Sequence, residues 1–94
     1  MYVPTNEVHD LQQRVRVFPN PTSGQVTIRF ERPPVKETYL TLTDVLGREI
    51  IQNRIFVGNN TDYSLEFGDL PSALYLLTIK MEEQTATYRI SLQK

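Results

Sequence analysis

Ninety-four residues, 39% hydrophobic and 22% charged with a net charge of −1, specify one compact domain and are too few for two. This balance shows neither the basic excess of a nucleic-acid binder nor the low hydrophobicity of a disordered chain. Cysteine is absent, which removes disulfides and thiolate chemistry, and no apolar run approaches the ~20 residues of a membrane-spanning helix. The segment Met1–Arg14 is polar and aperiodic around Pro4 and reads as a linker or lead-in, residues 1–14, ahead of a domain at 15–94. With Glu7, His9 and Asp10 and no apolar block, it is not a signal peptide.

Beyond Arg14 the pattern acquires period two. Val15 and Val17 share a face against Arg14 and Arg16; Val26, Ile28 and Phe30 oppose Gln25, Thr27 and Arg29. Successive side chains of a strand point to opposite faces, so such alternation marks half-buried strands. Between these two runs, Pro19-Asn20-Pro21-Thr22-Ser23-Gly24 cannot continue a ladder, because the prolines lack an N–H and Gly24 permits a positive φ. Pro33-Pro34 ends the second run in the same way. Thr38–Thr43 is β-branched and aromatic, with Leu40 and Leu42 inward.

Asp44-Val45-Leu46-Gly47 reads as a tight turn, with Asp44 bonding forward to the backbone and Gly47 in the left-handed position. Arg48–Val57 is a long extended stretch whose apolar phase slips, predicting a bend or bulge near Gln52-Asn53. Gly58-Asn59-Asn60 signals a hairpin, followed by Thr61–Phe67 with Tyr63, Leu65 and Phe67 inward. Gly68-Asp69 and Pro71-Ser72 mark a crossover loop. Tyr75, Leu77, Ile79 and Met81 then share a face, as do Tyr88, Ile90 and Leu92, with Glu82-Glu83-Gln84 as the hairpin tip between them. Seven strands without a helix predict an all-β fold, a seven-stranded antiparallel immunoglobulin-like β-sandwich.

Little in the chain suggests chemistry. The single histidine, His9, has no partner at the spacing of a catalytic triad or zinc site. Asp62, Glu66 and Asp69 are the candidate oxygen ligands for a calcium ion, but they match no loop motif and also suit a solvated rim. Asn59-Asn60-Thr61 fits a glycosylation sequon that a turn explains equally well. Tyr63, Tyr75 and Tyr88 fall on inward faces, leaving Tyr39 as the outward strand tyrosine, which argues against an aromatic platform for sugars. No enzyme, cofactor or metal site is expected.

The closing stretch Gln84–Lys94 carries Arg89 and Lys94 and no acidic side chain. Its outward face is Thr85, Thr87, Arg89, Ser91 and Gln93. Such a face either guards an edge strand against aggregation or displays donors and a free edge to a receptor.

Four blocks in order carry a resemblance: Pro19-Asn20-Pro21; a strand ending in Asp44 with the pair Gly47-Arg48; Leu70-Pro71 with Tyr75; and the basic closing strand. From about Val15 to Lys94 the chain resembles the C-terminal sorting domain of cargo exported by the bacterial type IX secretion system. One departure is Ala73, where the family usually has glycine; a positive φ there would cost alanine roughly 1 kcal/mol.

The resemblance implies a non-catalytic address label from a Bacteroidetes-type bacterium, joined to an upstream cargo domain that Met1 would not truly begin. The cargo would pass through the periplasm, engage the type IX translocon, and reach the cell surface or medium. A sortase-like protease would cut within Tyr2–Arg14. Arg89 and Lys94 are the expected translocon contacts, while the Pro19–Pro21 and Asp44–Arg48 turns serve the fold. No nucleic acid and no membrane insertion are expected, and an open sheet edge allows a strand-mediated dimer. The alternative is an accessory sandwich binding glycans or neighbouring domains; position discriminates, since a sorting signal is expected to end its protein, here at Lys94.

Overall fold

The computed structural model describes residues 14–34, 37–55, 60–81 and 84–94, without the side chains of 53–55. Its strands are β1 (Val15–Phe18), β2 (Gln25–Phe30), β3 (Thr38–Thr43), β4 (Glu49–Ile55), β5 (Asp62–Glu66), β6 (Ala73–Met81) and β7 (Gln84–Leu92). They form two sheets, ordered β1-β2-β5 and β4-β3-β6-β7, and every strand pairing is antiparallel. The all-β sandwich read from the alternation is therefore the fold, with no helix among the described residues.

The period-two pattern is what closes the core. Val15, Val26, Ile28, Phe30 and Leu65 from the three-stranded sheet meet Leu40, Leu42, Leu77, Ile79, Ala86, Ile90 and Leu92 from the four-stranded one. Each of these is nearly inaccessible to water. Burying one such aliphatic side chain stabilises the fold by about 1.5–3 kcal/mol. Phe30 and Tyr63 add an edge-to-face ring contact at 5.7 Å, and Phe67 and Tyr75 another at 6.3 Å.

Two expectations need correction. Gly58-Asn59-Asn60 does not join a hairpin: β4 pairs with β3 in one sheet and β5 with β2 in the other. The chain changes sheets there, and residues 56–59 themselves lie outside the described residues. Local residues of this kind carry no information on which distant strand each flank joins.

The irregularity in β4 also sits elsewhere. Leu42 pairs with Ile51 and Thr43 with Glu49, so the extra residue is Ile50 and not Gln52-Asn53. A bulge lets consecutive residues escape strict alternation. Ile51 can pack against the core while Ile50 stays exposed.

The ladders give the sandwich two distinct ends. At one, Val15 pairs with Phe30 and Thr38 with Met81, beside the junction with Arg14. At the other, Phe18 pairs with Thr27, Gln25 with Glu66 and Ala73 with Leu92. With nine residues each, β6 and β7 separate these ends by about 30 Å.

Candidate functional site

The four sequence blocks assemble at the end away from Arg14. The first closes the edge of the last strand. The Asn20 side chain donates from Nδ2 to the Arg89 carbonyl at 2.6 Å and accepts at Oδ1 from the Ser91 N–H at 2.9 Å. Thr22 continues the pairing: its N–H donates to the Ser91 carbonyl and its carbonyl accepts from the Gln93 N–H, both at 2.9 Å. A carboxamide has one donor face and one acceptor, so Asn20 imitates the backbone of a neighbouring strand residue. Both peptides preceding Pro19 and Pro21 are cis.

The turn is itself held by Thr22, whose hydroxyl accepts from the N–H groups of Gly24 and Gln25 at 3.1 Å. Gly24 has φ +146°, and a side chain there would meet the Gly68 backbone at 2.8 Å. Only a residue without Cβ admits both. The Phe67 N–H donates to the Gly24 carbonyl at 2.8 Å, tying this turn to the crossover loop.

The second block behaves as its residues predict. The Asp44 carboxylate accepts from the N–H groups of Leu46 (2.9 Å) and Arg48 (3.0 Å), and the Arg48 Nε reaches its other oxygen at 2.7 Å. Gly47 takes φ +87°. Hydrogen bonds from the Arg48 backbone, then from its side chain and from Leu46, hold the Asp44 carboxyl below the usual range despite opposing desolvation.

In the third block the Tyr75 hydroxyl donates to the Pro71 carbonyl at 2.6 Å. A tyrosine opening a strand and bonding a few residues back is the corner that braces immunoglobulin-like crossovers. Ala73 begins β6, paired with Leu92. In that extended conformation the conditional cost attached to alanine does not arise.

The last block lies across these turns. The Lys94 N–H donates to the Ser72 hydroxyl at 3.1 Å, and its Nζ to the Gly68 carbonyl at 2.8 Å. An ammonium has three donors, so two remain available. Arg89 is exposed on the outward face of β7, opposite Leu76, and has no ion pair among the described residues.

Other candidates come apart. Asp62 is paired with Arg29 through two contacts of 2.8 and 2.9 Å, and hydrogen bonding to Arg29 lowers its pKa. Four residues along β5, Glu66 lies roughly 13 Å away, so Asp62, Glu66 and Asp69 do not converge on a cation. Tyr39 is exposed and its hydroxyl donates to Glu37, while Tyr63, Tyr75 and Tyr88 pack at the core. These rings build no common outward platform. His9, Glu82 and Glu83 lie outside the described residues, as does Asn59 of the sequon.

Two features were not singled out from the sequence. One is the Asn20 clamp, which spans the chain and leaves no local trace. The other is the pair Val45-Leu46, 62% and 79% exposed at the tip of the second turn. Apolar residues inside an otherwise polar turn were the available signal.

Comparison with curated proteins gives no match. The family model for the secretion system C-terminal sorting domain matches residues 16–93, which covers the first three blocks, the closing strand up to Gln93 and nearly the entire sandwich. Its members interact with the type IX machinery and direct export to the cell surface or medium. The chain thus belongs to the type IX secretion C-terminal sorting domain family, and it serves as the sorting signal.

Proposed function

We propose that this sorting domain, residues 15–94 behind a lead-in of residues 1–14, presents Arg89 and Lys94 to the type IX translocon. An upstream cargo is carried from the periplasm across the outer membrane, and a sortase-like protease then cuts in the lead-in between Tyr2 and Arg14. The observation that carries the reading is the closure of the β7 edge by Asn20 and Thr22. It fixes the backbone from Arg89 to Gln93, so Arg89 stands on a rigid element, and Lys94 follows it directly, held by its own bonds to Ser72 and Gly68. Preorganised side chains lose less entropy on binding, which favours recognition there. The chain enters the sandwich at Val15, at the opposite end, which supports a cargo tethered away from this surface.

The test is secretion of a reporter fused upstream of Tyr2–Lys94, behind a periplasmic signal peptide, in a type IX-competent bacterium. Removing β7 outright is uninformative, because Ala86, Ile90 and Leu92 belong to the core. Arg89→Ala with Lys94→Ala leaves those residues in place. Delivery should fall by about tenfold or more with the melting temperature held, the loss expected for charged contacts worth over ~1.4 kcal/mol. Wild-type delivery by this folded variant would overturn the assignment of the two cations.

A further inference from the structure

We infer that the groove between the Asp44–Arg48 turn and the Leu70–Leu74 segment is an apolar docking surface for the type IX machinery that extends the contact at Arg89. It takes a short apolar segment with a carboxylate at one end and a cation at the other. This rests on the sorting role proposed above and adds a surface to it. The groove, about 550 Å³, is lined by Val45, Leu46, Ile50, Leu70, Pro71 and Leu74 among others. Among the described residues, five large apolar side chains are exposed, and four of them lie here: Leu46 and Val45 with Leu74 (40%) and Ile50 (37%). The fifth, Tyr39, is on the far part of β3. Apolar surface gathered in one place and left to water marks an interaction site.

The lining is built to stay in place. Leu46 and Val45 ride a turn closed by the Asp44 carboxylate and by backbone bonds between Asp44 and Gly47 and between Asp44 and Arg48. Ile50 faces the groove because it is the bulged residue of β4. On the opposite wall, Pro71 is held by the Tyr75 hydroxyl.

Charge placement identifies the occupant. The ladders align Glu49, Thr43, Leu76 and Arg89 in one row across the four-stranded sheet. Glu49 and Arg89 are both exposed at opposite edges of that sheet. Three strand spacings put them about 14 Å apart, the length of about four extended residues. Asp44 and Arg48 neutralise one another within the turn. A complementary segment therefore sets its carboxylate over Arg89, its cation over Glu49, and two apolar side chains between them. A second copy of this chain, or the cargo, would have to match the same pattern.

The experiment replaces Leu46 with a photo-crosslinking amino acid in the reporter fusion and, separately, introduces Leu46→Ser with Leu74→Ser. The expected crosslink is to an outer-membrane component of the type IX machinery, identified by mass spectrometry and lost in a translocon-deficient strain. The double substitution should lower delivery about tenfold at an unchanged melting temperature. A crosslink only to a second copy or to cargo would overturn the proposal, as would wild-type delivery by the Leu46→Ser/Leu74→Ser protein. If that variant is unstable, the crosslink from position 46 alone decides. Normal delivery there with loss in the Arg89→Ala/Lys94→Ala variant removes the groove and leaves the cations. Normal delivery by both removes both.

Discussion

The two ends of the sandwich are held by different means. At the end bearing the sequence blocks, side chains of Asn20, Thr22, Asp44 and Tyr75 bond to backbone groups, and two glycines let turns touch. At the lead-in end, among the described residues, the bonds are of other kinds: the Tyr88 hydroxyl on β7 donates to the Val15 carbonyl on β1 at 2.9 Å, joining the sheets, backbone bonds tie Glu31 to Arg14 and Phe30 to Thr61, and Arg29 pairs with Asp62. Beside it Arg14, Phe30, Pro33 and Met81 line a cavity of about 200 Å³. Bonds from side chain to main chain fix turn shape residue by residue, whereas the Tyr88 bridge fixes the distance between the sheets. The family blocks thus shape the surface at the end away from Arg14.

The largest test of that contrast is steric. Gly24→Ala combines an unfavourable φ with a 2.8 Å approach to the Gly68 Cα, so about 2–4 kcal/mol should be lost in urea unfolding. Gly68→Ala meets the Gly24 Cα at 3.7 Å, an ordinary contact, and should cost under ~1 kcal/mol. Equal losses would mean that the close approach does not define this end.

Asn20→Ala comes next. It strips partners from the Arg89 carbonyl and the Ser91 N–H, which water can partly replace because the site is exposed. About 1–2 kcal/mol should go, and exchange of the Ser91 amide should accelerate more than that of Ile90, which faces β6. Unchanged Ser91 exchange would show that Asn20 does not close the strand edge.

At the other end Tyr88→Phe should cost about 1 kcal/mol for a neutral hydrogen bond. It has a pH signature too. Burial pushes the Tyr88 hydroxyl up to about 12 from an ordinary value near 10. The unfolded chain therefore loses its proton first, so this stabilisation is complete below pH 10 and is lost as pH rises through about 12. Urea midpoints measured across that range should fall less steeply in Tyr88→Phe. An identical alkaline slope would assign the loss to other groups.

What the sequence disclosed divides along the same line. Strands were legible because alternation is local: Val26, Ile28 and Phe30 announce a buried face within six residues. The Asp44–Gly47 turn was legible for the same reason, since donor and acceptor lie within four positions. The partnership of Asn20 with Arg89 and Ser91 was not, because nothing near residue 20 records a strand some seventy residues on. Sheet assignment of β4 and β5 failed likewise: a signal such as Gly58-Asn59-Asn60 reads the same whether its flanking strands pair together or lie in different sheets, as β4 and β5 do. The proposal for Arg89 and Lys94 starts from their place on the closing strand, whereas the groove needed the bulge at Ile50 to turn that side chain outward.

The smallest effect sharpens the comparison furthest, because it separates charge from shape within one turn. Asp44→Asn keeps an oxygen to accept from Leu46 and Arg48 but removes the charge that attracts the Arg48 guanidinium. The native carboxyl titrates below its ordinary value, so its contribution is present above about pH 4 and is lost as pH falls through the lowered value. Stability of Asp44→Asn should sit slightly below wild type at neutral pH and converge with it in acid, and Asp62→Asn at the lead-in end should converge likewise, because Arg29 holds the Asp62 carboxyl below its ordinary value. If Asp44→Asn converges with wild type in acid and still delivers cargo normally, the turn acts through its shape, as expected of a mount for Val45 and Leu46. Loss of delivery at full stability would instead make the Asp44 charge part of what the machinery reads.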